Sequence, residues 1–378
     1  MLRIHIGPSQ QLLEDVQNMP RISHTREHAA AVTVKNVQNV EPLYTHMVTF
    51  LAGGTGTPKL LAGARDVFDQ SNITVVANTG DDIELSGHLV CPDVDTVLFH
   101  EAGLLDTKRW WGIQNDSIET HEMLGKLAAA NHRGEEPQYL EQSKQTGGRR
   151  ISRWRRFSGL STFMQIGDRD RGIHLYRTAR IDEGATLTEV TMELATGLDI
   201  DLTILPMSND PVATIIHTRS GPMHFQEYWV AKRADPTVTD VEFRGKETAA
   251  ITQEVNSALS EPVVIGPSNP ITSIGPMCAL PEFVERLKSV PVVVVSPFIR
   301  ESVFSGPAAE LMEGVGYAPS TVGLANRYPF ADAFVLDETD DTSLDRPTYQ
   351  TDITLNDATD ATRVVTAAQQ AISDIFGT

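Results

Sequence analysis

Cysteine is nearly absent: Cys91 and Cys278 stand far apart in a chain of 378 residues. This excludes a disulfide framework and a CxxC metal site, and it fits a reducing compartment. Lysine is scarce as well. There are 8 Lys beside 23 Arg, against 50 acidic residues, for a formal net charge of −19. A general nucleic-acid binder needs a basic face for the phosphate backbone, so that class of partner is excluded. An acidic surface with few lysines suits a salt-adapted cytoplasm, where surface charge keeps a protein soluble. An acidic mesophilic enzyme has a similar composition. No apolar run approaches the roughly 20 residues of a membrane span. The first residues lack the charged-then-apolar pattern of a signal peptide. The expectation is a soluble cytoplasmic protein with no membrane partner. No internal repeat or low-complexity segment is present.

What is present is 40% hydrophobic residues, enough for a real core in one large or two ordinary domains. The stretch Met47 to Lys59, MVTFLAGGTGTPK, reads as a strand, a glycine loop and a helix start. Thr57 suits an N-cap and Pro58 the first helical position. Amides of Gly53, Gly54, Thr55, Gly56 and Thr57 at a helix N-terminus make an anion site, and glycine lets a phosphate approach the backbone. The spacing is neither the dinucleotide GxGxxG nor a P-loop. Tight turns also produce such clusters.

Ile73 to Ala77 reads as a second strand, ending in Asn78-Thr79-Gly80-Asp81-Asp82. Ligands of open parallel sheets bind at the carboxyl ends of strands. The acidic turn therefore belongs beside the glycine loop. Asp81 and Asp82 suit Mg²⁺, which takes one or two carboxylates plus phosphate oxygens; either acid alone also suits a helix cap. Pro92 then opens a helix. Asp93 in its first turn complements the helix dipole, and Asp95 lies about 200° further around. The pair Trp110-Trp111 offers a wall for an aromatic ligand, or core packing.

Strand–helix alternation at both ends predicts a Rossmann-like, doubly wound, mostly parallel α/β sheet. Residues 110–245 alternate less regularly and read as an inserted α+β lobe, with 131–161 as an extra loop holding five arginines between Arg149 and Arg156. That cluster suits a phosphate or an acidic surface, and equally a solvated insertion. The capping-box pattern Thr186 to Glu189 opens a further helix. A second ligand-like loop, Gly266 to Pro276, follows the strand Val263-Val264-Ile265, with Ser268, Asn269 and Ser273 as hydrogen-bonding groups. Residues 341–378 supply a last strand and helix to the domain begun at 47. Residues 1–46 show no such unit and read either as an extension ahead of a natural start at Met47 or as a genuine, loosely ordered arm.

In order along the chain stand GGTGTPKLL at 53–61, NTGDD at 78–82, PDVDTVLF at 92–99, KRWWGI at 108–113 and GDRD at 167–170. LPMSNDPVAT at 205–214, GPMHFQEYWV at 221–230, IGPSNPITSIGP at 265–276 and SGPAAELM at 305–312 follow. Together these motifs resemble the 2-phospho-L-lactate transferase family of coenzyme F420 biosynthesis, in its haloarchaeal form. The resemblance implies a homodimeric, Mg²⁺-dependent enzyme. Its substrates would be a deazaflavin alcohol (7,8-didemethyl-8-hydroxy-5-deazariboflavin, FO) and lactyl-2-diphospho-5′-guanosine, and its products F420-0 and GMP. For that reaction Asp81 and Asp82, with Asp95 as a candidate third ligand, are read as holding the metal, and Asp82 and Asp95 as the catalytic acids; the resemblance implies that Asp95 contacts FO, as orienter or base. Gly53 to Thr57, Lys59, Gly266, Ser268, Asn269 and Ser273 would hold the diphosphate and guanosine, and Trp110 or Trp111 would stack on FO. Gln165 stands where the family often has a basic FO contact. Arg300, Glu301 and Ser305 depart from a glycine-rich loop with lysine. A nucleotide-sugar-binding regulator on the same scaffold is the alternative reading. A dinucleotide-dependent oxidoreductase fits worse, because the loop spacing is wrong for it.

Overall fold

The computed structural model describes residues 46–85, 87–130, 164–299, 302–303 and 307–376. The extension before residue 46, the extra loop with its arginines, and Arg300, Glu301 and Ser305 lie outside them.

Seven strands form one sheet, parallel at every pairing, in the order Thr348–Thr351, Ala333–Asp337, Val292–Val295, Val263–Ile265, Val48–Ala52, Ile73–Ala77, Thr203–Pro206. The inner strands are rich in Val, Ile and Phe and buried along their whole length. A parallel sheet covered by helices on both faces demands that pattern. Alternate side chains enter separate layers. Phe50 and Ala52 face a core shared with the helices Gly56–Val67, Pro92–Glu101 and Ala358–Phe376, whereas Leu51 faces one shared with Tyr228, Phe283 and Leu324. Each such large side chain contributes about 1.5–3 kcal/mol.

Strand order runs outward in both directions from the pair Val48–Ala52 and Val263–Ile265. That is the topological switch point of a doubly wound sheet, and a crevice opens there at the carboxyl ends. Both glycine-containing loops leave from these two strands.

The chain between the two halves carries an antiparallel sheet of Ala213–Thr218, Gly221–His224 and Val238–Arg244, with the helices Asp168–Glu183 and Leu187–Gly197. Gly184, at φ 118°, stops the first of these helices, and a reciprocal Thr186–Glu189 capping box starts the second. The lobe is smaller than the 110–245 span expected. Thr203–Pro206 pairs in parallel with Ile73–Ala77 and joins the central sheet, because Ile204 and Leu205 are buried on its opposite faces. The first helix also starts earlier than expected, at Gly56, so Thr57 lies inside it rather than capping it. Among the described residues no helix is long and apolar enough to cross a membrane.

Candidate functional site

The two loops at the switch point are built against each other. A side chain at Gly56 would strike the Pro267 carbonyl, one at Gly266 the Thr57 hydroxyl, and one at Gly53 the Ser273 side chain. Thr57 donates its single hydroxyl proton to the Leu51 carbonyl at 2.9 Å. Ser268 must therefore be the donor in the 3.0 Å Thr57–Ser268 contact. Ser268 Oγ in turn accepts the Gly53 amide at 3.2 Å. These hydroxyls thus fasten one loop to the other. Gly56→Ala is expected to push the loops apart at a cost of about 1–3 kcal/mol. Gly172→Ala, at a helical position with nothing within 4 Å, should instead stabilise by roughly 0.5–1 kcal/mol. Denaturant midpoints of the two variants check the contrast; equal effects would mean the loops tolerate separation.

Asn78 joins three segments. Its Nδ2 donates to Asp93 Oδ2 at 2.9 Å and to the Thr272 carbonyl at 3.1 Å, and its Oδ1 accepts the Gly80 amide at 2.8 Å. Asn269 shapes the second loop, accepting the Ile271 and Thr272 amides at 2.9 and 3.2 Å.

A cavity of about 390 Å³ opens at this place. Its polar lining includes Gly54, Thr55, Gly56, Asp81, Asp93, Thr96, Ser268, Asn269, Thr272 and Ser273. Its aromatic and apolar lining includes Trp110, Trp111, Met164, Phe225, Trp229 and Val230, and Gln165 and Gln226 line it too. Of the residues singled out from sequence, Gly54, Thr55, Gly56, Asp81, Trp110, Trp111, Gln165, Ser268, Asn269 and Ser273 line the cavity. Gly53, Thr57, Lys59, Gly266, Asp82 and Asp95 are not among its lining residues.

The displaced residues have definite partners. Lys59 Nζ sits 4.6 Å from the Trp110 ring centroid, and His100 stacks on the same indole at 6.2 Å. Burial lowers the Lys59 pKa. The Arg109 guanidinium lies 4.8 Å from the Trp111 ring centroid. Trp110 takes φ 60°, a left-handed conformation rare for a bulky residue.

Asp95 faces the helix Asp168–Glu183. It forms a two-point pair with the fully buried Arg177, through Nη2 to Oδ1 and through Nη1 to Oδ2 at 3.2 Å. His174 Nε2 lies 3.3 Å from Asp95 Oδ2 and 3.0 Å from Asp170 Oδ1. Burial alone would raise the Asp95 pKa, but Arg177 and His174 outweigh it and hold it below the usual range. Burial works against a charged His174 too, and the Asp170 and Asp95 carboxylates overcome it, pushing the imidazole up to about 9. Asp82 is fully buried, with the Cys91 thiol beside its carboxylate. Burial raises its pKa well above the usual range.

Asp93 is the acid of its helix that reaches the cavity. A side chain at Gly54 would strike its Oδ1. Burial pushes Asp93 up to about 7, in spite of the Asn78 hydrogen bond. Asp81 is raised well above its usual range by burial and then by the Asp93 and Asp82 carboxylates. Its Oδ1 is buried without a hydrogen-bond partner among the described residues. Two mutually repelling carboxylates in one cavity lining, with an oxygen left over, fit a hard cation. Among the described residues no group of three or more His, Cys, Asp or Glu forms a complete metal cage. A cation here would need ligands from elsewhere, as Mg²⁺ takes them from phosphate and water.

Sequence reasoning missed Asn78, Arg177, His174, Phe225, Gln226 and Trp229, and assigned Asp93 to the helix dipole alone. Asp170, His174 and Arg177 do carry a signal: spacings of four and three place them on one helix face, where charge replaces the usual apolar stripe.

Residues 48–373 match a family model described as 2-phospho-L-lactate transferase CofD. The chain is 60% identical over 329 residues to a 2-phospho-L-lactate transferase of Haloarcula marismortui, covering 87% of this chain and 100% of that one. It is 57% identical to one of Halobacterium salinarum, covering 86% and 98%, and 42% identical to one of Methanosarcina acetivorans, covering 77% and 85%. A crystal structure of a UPF0052-family protein from Bacillus halodurans shares the fold, with a TM-score of 0.52 at 16% identity, covering 86% of this chain and 100% of that one. With the family match running from the first strand of the sheet into the last helix, through both loops and the acidic turn, the chain belongs to the 2-phospho-L-lactate transferase family.

Proposed function

We propose that this transferase moves the phospholactyl group of lactyl-2-diphospho-5′-guanosine onto the terminal hydroxyl of FO, giving F420-0 and GMP. The observation that carries the reading is one cavity lined by a glycine loop, two buried carboxylates and several aromatic side chains. A diphosphate suits the loop amides and a planar deazaflavin the aromatic groups.

The transfer forms a bond from the FO oxygen to the phosphorus bearing lactate, breaks the bond from that phosphorus to the GMP oxygen, and releases the hydroxyl proton. Phosphoryl transfer rests mostly on positioning and charge neutralisation. Amides of Gly54 to Gly56 at the helix N-terminus hold phosphate oxygens. Asp81, with its spare oxygen, is the carboxylate that would hold Mg²⁺, whereas Asp82 is not among the cavity's lining residues. The ion supplies positive charge beside the diphosphate. Asp93 is fixed at Oδ2 by Asn78 and presents Oδ1 beside Gly54. A carboxylate titrating near 7 is suited to accept a proton at neutral pH. Asp93 therefore takes the role that the resemblance assigned to Asp95, and Asp95 anchors the helix that carries it.

The test is direct. Protein in high salt is mixed with FO, Mg²⁺ and the lactyl donor, and the products are separated by chromatography. Equal amounts of F420-0 and GMP are expected, with the reaction lost on chelation of the ion. The enolpyruvyl donor is a second arm. Folded protein that forms no product with either donor would overturn the reading in favour of a nucleotide-binding regulator.

A further inference from the structure

Gln226 is only 5% exposed, yet it lines the cavity. Its backbone amide donates to His224 Nδ1 at 3.2 Å, so a neutral His224 carries its proton on Nε2. Burial keeps that imidazole neutral, with its pKa lowered to about 4. His224 pairs with Ile215, and the neighbouring Thr214 amide donates to the Gly80 carbonyl at 2.7 Å. The backbone at Gln226 is thereby fixed close to the acidic turn.

The side-chain amide makes no hydrogen bond with any described residue. A primary amide offers two donors and an acceptor, and here they open onto the cavity. Gln226 is thus a polar group presented to the cavity that no described residue binds. Its neighbours in that lining are Phe225, Trp229 and Val230, flat or apolar surfaces that suit the faces of an aromatic system and leave its edge to be read.

We infer that Gln226 reads the lactam edge of the acceptor's heterocycle, where a ring N–H stands beside a carbonyl. The Gln226 carbonyl accepts that N–H, and its amide NH₂ donates to the adjacent oxygen. This rests on the reading that the cavity binds FO, whose pyrimidinedione ring presents such an edge. Guanine carries the same N–H and carbonyl. Gln226 stands between Phe225 and Trp229 in the cavity lining, and that flat, apolar setting favours the deazaflavin.

The experiment uses the full chain, with FO affinity read by fluorescence and guanosine diphosphate affinity as the control. Gln226→Leu is expected to weaken FO binding about 10- to 100-fold, the equivalent of two hydrogen bonds, and to leave guanosine diphosphate within twofold. Gln226→Glu, of nearly the same shape, should fall between Leu and wild type. A second ligand, FO methylated on the ring nitrogen between its two carbonyls, should bind the wild type poorly and pay no comparable penalty in Gln226→Leu. Equal methylation penalties in the two proteins, or an unchanged FO affinity in Gln226→Leu, would overturn the inference while leaving the transferase reading intact. So would a loss confined to guanosine diphosphate. A folded wild type that binds no FO at all would overturn both.

Discussion

Asp93→Asn is expected to keep the fold and lose about 10²- to 10⁴-fold in turnover, the usual contribution of a positioned proton acceptor. The substitution keeps a polar planar group where Asn78 now donates to Oδ2, but it cannot take a proton. Stability should move the other way. The folded-state pKa of Asp93 is raised to about 7 by burial. The ionised acid is therefore disfavoured by the fold, and its contribution to stability falls as pH rises from the ordinary carboxylate range toward 7. The Asn variant lacks that loss, so at pH 8 it should unfold no earlier than wild type. Activity that disappears from a protein of equal or greater stability is the signature of a functional acid. Turnover and denaturant midpoints at pH 5 and pH 8 are the measurements. Near wild-type turnover in Asp93→Asn, with turnover lost in well-folded Asp95→Asn, would return the role to Asp95.

Arg177→Met should destabilise by about 3–5 kcal/mol, because it leaves a buried carboxylate with its main partner gone. Arg177 is fully buried and binds both oxygens of Asp95, so solvent cannot take over. The double replacement Asp95→Asn with Arg177→Met should cost less than the sum of the single losses, since it leaves no bare charge behind. Equilibrium unfolding of the four proteins completes the cycle. Strict additivity would show that the two side chains act independently. The pair has a functional side as well. Asp95 Oδ2 also accepts the Cys91 amide at 3.3 Å, at the start of the helix that carries Asp93. The network thereby fixes where Asp93 stands.

Such pairing explains which parts of the site were legible in the sequence. The sheet was readable because Val48–Ala52, Ile73–Ala77 and Val292–Val295 are runs of strand formers broken by turn residues. The glycine loop and the acidic turn were readable because both are local. The direction of each acid was not. Asp95 turns from the cavity because of Arg177, 82 residues further on, and no local pattern announces that partner. Thr57 looked like a helix cap because its neighbours in sequence favour one, while the helix starts one residue earlier and Thr57 accepts the hydroxyl proton of Ser268, 211 residues away. Membership of Thr203–Pro206 in the main sheet depends on its pairing with Ile73–Ala77, again a distant choice. Gln226 left no sequence signal, since its distinction is its place in the cavity lining, where no described residue pairs its amide.

The helix that opens at the first glycine loop is held by a segment made much later. A side chain at Gly63 would strike the backbone at Ala361 and Thr362, so the helices Gly56–Val67 and Ala358–Phe376 touch backbone to backbone there. Thr362 also donates its hydroxyl proton to Asp66 at 2.8 Å across a separation of 296 residues. Closing so long a loop is entropically costly and slow. During synthesis, the anion cradle is therefore encoded near the beginning of the domain but cannot gain its final support until the last helix has left the ribosome.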